Sequence, residues 1–373
     1  MTNRIYYFGL LGDLRKQPVG GGQTSARRVI QGFKDSGFDV IATSRHWNTS
    51  LSRIGHIFET GFFCLLNVTQ LFLKLLFGKR KDSIYLNISY SNVLIPLEYY
   101  TGKMACRLGY KSVLYLKGGR LEDVIRNLSG KRKRMFKKNL DMRSLILVEG
   151  ESDIKRLESF TSTKIVWFPN FIFEADIPRQ LPQRSTEEIG ICHFGRITKD
   201  KGVEIVLNSF ELLAEKYPKL QLTIVGGIGG VGGGDNVFYE NFNRRCKESK
   251  FSDRITRIGQ SSSEYIRKMM DENHFFLFPT ADPCEGQSNS LNEAMSRGLV
   301  PIVSDFHFNR AIVNYDKLVV RSYEPQDYAD IISEIIDNGE IKKLSEHVWK
   351  RIKNDFAYHN VTARICNEIR NIE

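Results

Sequence analysis

The sequence contains no Cys-x-x-Cys pair; its six cysteines (Cys64, Cys106, Cys192, Cys246, Cys284 and Cys366) are scattered over 373 residues without regular spacing. That argues against a structural zinc site or a disulfide framework and fits a reducing cytosol. No apolar run reaches the roughly 20 residues that a membrane-spanning helix needs. No Asp-x-Asp pair offers itself to a divalent metal, so metal-independent chemistry without a cofactor is expected. Helix-turn-helix, zinc-finger and RRM-like aromatic patterns are also missing, and no nucleic-acid partner is expected. The glycines after the first predicted strand lack the Gly-Lys-Ser/Thr of a P-loop, because Gln23 stands where the lysine would be, so ATP hydrolysis has little support. The start, MTNRIYYFGLLGD, has a short apolar run and no cleavage site; it reads as a first strand and not as a signal peptide.

What is present begins with charge. The formal net charge of +11 is uneven: residues 1–178 hold 28 Lys and Arg against 15 Asp and Glu, whereas residues 179–373 hold 26 against 28. A basic half beside a near-neutral half suggests that one domain meets an anionic surface or substrate. The densest cluster is KRKRMFKK, Lys131 to Lys138, with six basic residues in eight. It is either a solvated helix face or a patch that meets anionic lipid. A second segment, Gly61 to Phe77, has twelve apolar residues in 17, with Asn67, Gln70 and Lys74 at helical spacing. It reads as a buried helix of the first domain or as one lying in a membrane interface.

Short apolar strands alternate with helical stretches throughout. Strands are expected at Ile5–Leu10, Val40–Ser44, Ser83–Asn87, Ser112–Lys117 and Leu145–Val148. A second series follows at GICHF, LQLTIV, ITRIG, HFFLFP and PIVSD. This order means parallel sheets flanked by helices. Two such series predict two Rossmann-like domains: residues 1–172, a linker over 173–187, a second domain over 188–350, and a C-terminal helix in 351–373 that packs back on the first domain.

The stretch EGQSNSLNEAMSRGLVPIVSD, Glu285 to Asp305, carries the strongest chemical signal. Small polar residues, Gly286, Gln287, Ser288, Asn289 and Ser290, open a helix between two carboxylates, Glu285 and Glu293. Free backbone N–H groups and the positive end of the helix dipole make that place an anion site, and the carboxylates can accept hydrogen bonds from sugar hydroxyls. Ser290 and Glu293 also fit a capping box, which would make Glu293 structural. The second constellation is FGRITKDKG, where Arg196 and Lys201 leave the end of a strand; a guanidinium and an ammonium there suit a diphosphate. VGGGQTS, residues 19–25, brings Gly21 and Gly22 to a loop before a helix, where backbone approaches a ligand closely. Gly227, Gly229 and Gly232 spell a dinucleotide fingerprint, but seven glycines crowd residues 226–234 and no well-placed acid follows, so NAD binding is not expected.

Glu285, Gly286, Glu293, Ala294, Met295, Gly298 and Pro301 fall where the signature of the family-4 retaining glycosyltransferases (glycosyl transferases group 1) puts its Glu, seven residues, Glu pattern. Arg196 and Lys201 resemble the Arg–Lys pair that precedes that signature by about ninety residues, as spacing read from the motif order. WFPNF and FLFPT resemble further elements of the family. One departure is Lys117-Gly118-Gly119, where the family often carries a histidine.

The resemblance implies a GT-B fold, with two Rossmann-like domains whose parallel sheets face each other across a cleft. It implies a retaining hexosyltransferase of the bacterial polysaccharide or lipopolysaccharide type. Arg196, Lys201 and Glu285 would be catalytic. Gly21, Gly22, Gly286, Gln287, Ser288, Asn289 and Glu293 would join Arg196 and Lys201 in holding a UDP- or GDP-sugar. The acceptor would be a polysaccharide or lipid-linked oligosaccharide held by the first domain, with Lys117, Lys131, Lys133, Arg132 and Arg134 facing the acceptor or an anionic membrane. The charge asymmetry and the apolar segment Gly61 to Phe77 add the expectation of a cytoplasmic location, peripheral on the inner face of the cell membrane. The alternatives are a non-catalytic sugar- or nucleic-acid-binding protein and a nucleotide-sugar epimerase of the same fold.

Overall fold

The structure is a computed structural model that describes residues 3–13, 20–45, 53–89, 94–228 and 235–372. Gly229 and Gly232 of the glycine-rich fingerprint, and Val19 of the first glycine loop, lie outside the described residues. The chain divides into two compact units: residues 1–170 with 358–373, and residues 171–357.

In the first unit, strands and helices alternate as β1 (Arg4–Gly9), α1 (Gly20–Asp35), β2 (Asp39–Ser44), α2 (Arg53–Leu76), β3 (Ser83–Ser89), α3 (Ile95–Arg107), β4 (Lys111–Leu116), α4 (Leu121–Asn127), α5 (Gly130–Asp141), β5 (Leu145–Val148), α6 (Ser152–Glu158) and β6 (Ile165–Trp167). The six strands form one parallel sheet in the order β2-β1-β3-β4-β5-β6. The second unit runs β7 (Gly190–Phe194), α7 (Val203–Lys216), β8 (Gln221–Val225), α8 (Asn236–Glu248), β9 (Ile255–Ile258), α9 (Ser263–Glu272), β10 (Phe275–Phe278), α10 (Asn289–Ser296), β11 (Val300–Ser304), α11 (Asn309–Val313), β12 (Val319–Val320), α12 (Pro325–Asp337) and α13 (Ile341–Arg351). Its parallel sheet has the order β12-β11-β10-β7-β8-β9.

Strands β5, β7, β10 and β11 are buried along their whole length. Runs such as LILV and FFLF are therefore continuous and not alternating, because helices cover both faces of a parallel sheet. The expected strands are all present. The two that sequence patterning missed, β6 and β12, have three and two residues, too few to show a period.

The stretch expected as a linker, 173–187, is part of the second unit. Arg184 ties it there: its guanidinium donates to the carbonyls of Arg297 (2.7 Å), Met270 (3.1 Å) and Gly298 (3.4 Å). At the other end the chain returns to the first unit as α14 (Tyr358–Arg370). Tyr358 Oη donates to the Gly32 carbonyl at 3.1 Å, and Arg370 to the Ser36 carbonyl at 2.7 Å. Both contacts lie on α1 or just beyond it, so α14 covers the face of the sheet that α1 occupies.

Candidate active site

Strand order alone marks one place in the second unit. From β7 the chain moves outward through β8 to β9 and then returns to the opposite side of β7 as β10. Between β7 and β10 the connections leave in opposite directions, which opens a crevice at the carboxyl ends of the strands. The loops after both strands carry the residues singled out by sequence.

After β7, Gly195 and Gly226 approach so closely that a Cβ on Gly226 would stand 1.8 Å from the Gly195 carbonyl oxygen. The chain then delivers Arg196 and enters a short helical turn, Lys199–Lys201, closed by Gly202 at φ +70°. A Cβ on Gly202 would meet the Pro279 carbonyl at 2.3 Å. This glycine therefore lets the loops after β7 and β10 lie against each other. The Ala281 amide donates to the Asp200 carbonyl at 2.7 Å, which stitches them together.

Four charged side chains converge there. Asp282 Oδ2 accepts from Arg196 at 2.6 Å and lies 3.3 Å from Lys201 Nζ, while Lys201 also pairs with Glu285. Asp282 was not singled out by sequence. It lies three residues before Glu285, and the one available signal was a further acid in the same loop. Its carboxylate also accepts from the Cys284 amide at 2.9 Å. Burial by itself pushes the Asp282 carboxyl up, but Lys201, that amide and Arg196 outweigh it and hold it below the usual carboxylate range. Burial dominates at Lys201 and pushes its ammonium down to about 8, with Asp282 opposing and Arg196 reinforcing the shift. Arg196 remains about half-exposed, at 46% of its side chain. The site therefore holds one sequestered cation and one that reaches solvent.

Helix α10 begins at Asn289, with Ser288 as its N-cap and no side-chain bond from that cap. Ser290 is thus the second residue of the helix, and the capping box with Glu293 does not form. Glu293 lies in the helix's second turn, half-buried. Gly286 and Asn289 are partly exposed, whereas Gln287 and Ser288 are buried. Gln287 donates to Asn292 Oδ1 at 3.4 Å, and the Ser288 hydroxyl meets that of Ser290 at 2.9 Å. These contacts shape the loop around α10's first amides.

The remaining candidates lie in the first unit. Gly21 and Gly22 are in the first turn of α1 and not in a loop before it, because α1 starts at Gly20. Residues 14–19 of the intended loop lie outside the described residues. Lys131, Arg132, Lys133 and Arg134 are exposed on α5. Lys117 does not share their surface: it is buried at the end of β4. Its Nζ donates to Ser25 Oγ and Asn170 Oδ1, both at 2.6 Å, and pairs with Glu149 at 3.2 Å. The Gly118 amide donates to the second Glu149 oxygen at 2.8 Å. This network joins α1, β4 and the Pro169–Asn170 element, so the lysine expected to face the acceptor or an anionic membrane is interior. Burial lowers its pKa. Among the described residues no group of three or more His, Cys, Asp and Glu is placed to hold a metal ion.

Residues 175–354 match the family model described as glycosyl transferases group 1. An uncharacterized glycosyltransferase of Methanocaldococcus jannaschii is 25% identical over 261 residues. The match takes in 65% of this chain and 60% of that relative, less than two thirds of its length. Among solved structures, sucrose-phosphate synthase from Thermosynechococcus elongatus is similar with a TM-score of 0.73 at 15% identity, covering 99% of this chain and 98% of that one. A UDP-forming alpha,alpha-trehalose-phosphate synthase from Burkholderia xenovorans gives 0.71 at 12% identity, covering 100% and 99%. HepE of Anabaena, solved in complex with UDP, gives 0.70 at 11% identity, covering 98% and 99%. The two parallel six-stranded sheets are those of the GT-B fold.

Proposed function

With residues 175–354 a glycosyl transferases group 1 domain on a GT-B fold, we propose that this chain is a retaining hexosyltransferase. It moves a sugar from a UDP- or GDP-sugar to a polysaccharide or lipid-linked oligosaccharide. The observation that carries the reading is the convergence of Arg196 and Lys201 with Asp282 and Glu285 at the switch point between β7 and β10. Two cations there match a diphosphate. The two carboxylates neutralise them, so a diphosphate that enters exchanges partners with Asp282 and Glu285.

In this reading Arg196 forks the phosphate oxygens and Lys201 adds a point charge beside them. Glu293 accepts from the ribose hydroxyls and Glu285 from the sugar. The first amides of α10, with Gly286 to Asn289 around them, complete the cradle. In the transfer step an acceptor hydroxyl oxygen bonds to the anomeric carbon on the face that the diphosphate leaves. The carbon–oxygen bond to the phosphate breaks with its electron pair on the phosphate, which takes the hydroxyl proton. Charge grows on the leaving group, and Arg196 and Lys201 stabilise it where it grows. They supply the neutralisation a divalent ion would give, so the proposal needs no metal. The acceptor class and a place at the inner membrane face rest on the basic charge of residues 1–178 and on α2.

The test is thermal stabilisation by UDP, GDP, ADP and CMP and by the matching sugar nucleotides, without added metal. Saturation with the right base raises the midpoint by about 5 °C. Glu293→Ala weakens binding about tenfold, through lost hydrogen bonds from the ribose to a charged acceptor. A wild type that no nucleotide stabilises overturns the reading.

Donor binding also carries a pH signature. Below pH 8 Lys201 holds its proton; between about 8 and the free-lysine value of 10.5 the folded state gives up a proton that the unfolded chain keeps. Through that window this group makes the fold more stable as pH rises, while a bound diphosphate would lose a cation. Nucleotide affinity is therefore expected to fall from about pH 8 upward, with proton uptake on binding. Calorimetry in buffers of different ionisation enthalpy reads that uptake, and a flat profile would remove Lys201 from the phosphate site.

A further inference from the structure

Helix α2 buries two leucines and leaves a longer apolar stripe exposed. Leu71 and Leu75 pack inward, and so does Lys74, whose Nζ donates to the Ala42 carbonyl at 2.8 Å and to Thr43 Oγ1 at 3.1 Å, while Gln70 of the same polar spacing is exposed. Outward it presents Phe62, Leu65, Leu66, Phe72, Leu73 and Phe77. Spacings of three, four, ten and eleven residues from Phe62 place the first five along one stripe, and Phe77, just past the helix end, is 82% exposed. A soluble chain buries such a stripe or uses it.

The surroundings say what would cover it. In the first sheet the crossovers through α2, α3 and α5 all run the same way, from β2 past β1 to β3, β4 and β5, whereas α1 runs the other way from β1 to β2. Right-handed crossovers put α2, α3 and α5 on one face and α1 on the other, and α2 touches α3 while α3 touches α5. Lys79, Arg80 and Lys81 follow directly after α2, all exposed, and Lys131 to Arg134 are exposed on α5. Between them on α3 stands Tyr100, 60% exposed. The cations of α5 occupy its first turn, which holds no acid. Positive charge at the positive end of a helix dipole works against the helix, so helix stability does not explain them.

We propose that this face docks on an anionic lipid bilayer, with the outward stripe of α2 lying in the acyl–headgroup boundary and the flanking cations on headgroup phosphates. An apolar stripe, an aromatic with a polar tip and a basic rim together match that boundary. A second copy of the chain fits less well, because a two-fold dimer would lay each basic rim against its own copy. Among the described residues no helix is long and apolar enough to cross a membrane, so the contact is peripheral. The proposal deepens the lipid-linked acceptor reading, yet it stands or falls separately from donor binding.

The experiment is co-sedimentation of the full chain with phosphatidylcholine vesicles, with and without phosphatidylglycerol, in low and high salt and without nucleotide. The wild type is expected to sediment with the anionic vesicles and to be released by salt. The double variant Leu65→Glu/Phe72→Glu should lower the partition coefficient about tenfold or more, and neutralising Lys131 to Arg134 with glutamine should weaken the anionic preference. Both variants change exposed side chains and should keep the wild-type circular dichroism and nucleotide-induced stabilisation. A wild type that ignores anionic vesicles overturns the proposal. So does a Leu65→Glu/Phe72→Glu protein that binds them as well as the wild type. A wild-type dimer in light scattering that the same double variant dissolves would assign the stripe to a second copy. Loss of nucleotide stabilisation in the wild type, with vesicle binding intact, would strike the donor reading and leave this one standing.

Discussion

Lys201→Ala is expected to weaken nucleoside-diphosphate binding by about 10²-fold or more and to lower stability by about 3 kcal/mol at neutral pH. Both losses follow from one geometry. Lys201 is the sequestered cation between Asp282 and Glu285, and its side chain is 9% exposed. Removing it takes away the cation that Asp282 and Glu285 share, and leaves Phe278 under the vacated place. Arg196 still reaches Asp282 but pairs with no other acid there. Buried, uncompensated charge of this kind costs several times what an exposed ion pair contributes. The carboxylates can escape by taking up protons. The stability deficit of the variant should therefore shrink as pH is lowered, and urea denaturation at neutral and mildly acidic pH measures it. A deficit that is absent, or that grows in acid, would mean that Lys201 does not neutralise this pair.

Arg196→Ala is expected to lower kcat/KM about 10²- to 10³-fold, the cost of removing one donor from charge that develops in a transition state, and to leave the thermal midpoint almost unchanged. The contrast with Lys201 comes from exposure. Arg196 is about half in solvent, so its pair with Asp282 is screened and contributes about 0–1 kcal/mol. On a leaving diphosphate the same guanidinium acts at close range. Arg196→Lys should recover little of the loss, because an ammonium cannot fork two phosphate oxygens. Full activity in Arg196→Ala would move the diphosphate elsewhere, and a large fall in midpoint would recast Arg196 as a structural residue.

The two variants separate what the sequence could say about this site from what it could not. Arg196 and Lys201 are both legible as cations leaving β7, and their motif spacing marks them as a pair. Nothing in the spacing distinguishes the buried one from the exposed one. That difference arises because Gly202 lets the loop after β10 press on Lys201 while Arg196 projects beyond it. Asp282 escaped notice for a related reason: one acid near a strand end is commonplace until the folded chain brings two cations to it. Lys117, expected to face the acceptor or an anionic membrane, shows burial that no motif announced: Ser25, Glu149 and Asn170 meet it from three distant parts of the chain and make an interior position tolerable.

By itself the sequence determined the order of strands and helices, the two parallel sheets, and the place of Glu285 and Glu293 around the start of a helix. These rest on local properties: continuous apolar runs, glycine and small polar residues at turns, and motif spacing along the chain. Tertiary structure alone decided that 173–187 joins the second unit. It also decided which acid bridges Arg196 and Lys201, and which side of α2 faces water. A helix that is apolar almost all round gives periodicity no direction to choose. The choice fell to the β2 carbonyl and hydroxyl that satisfy Lys74 inside the unit, because a half-buried ammonium must have partners whereas an exposed leucine can wait for one.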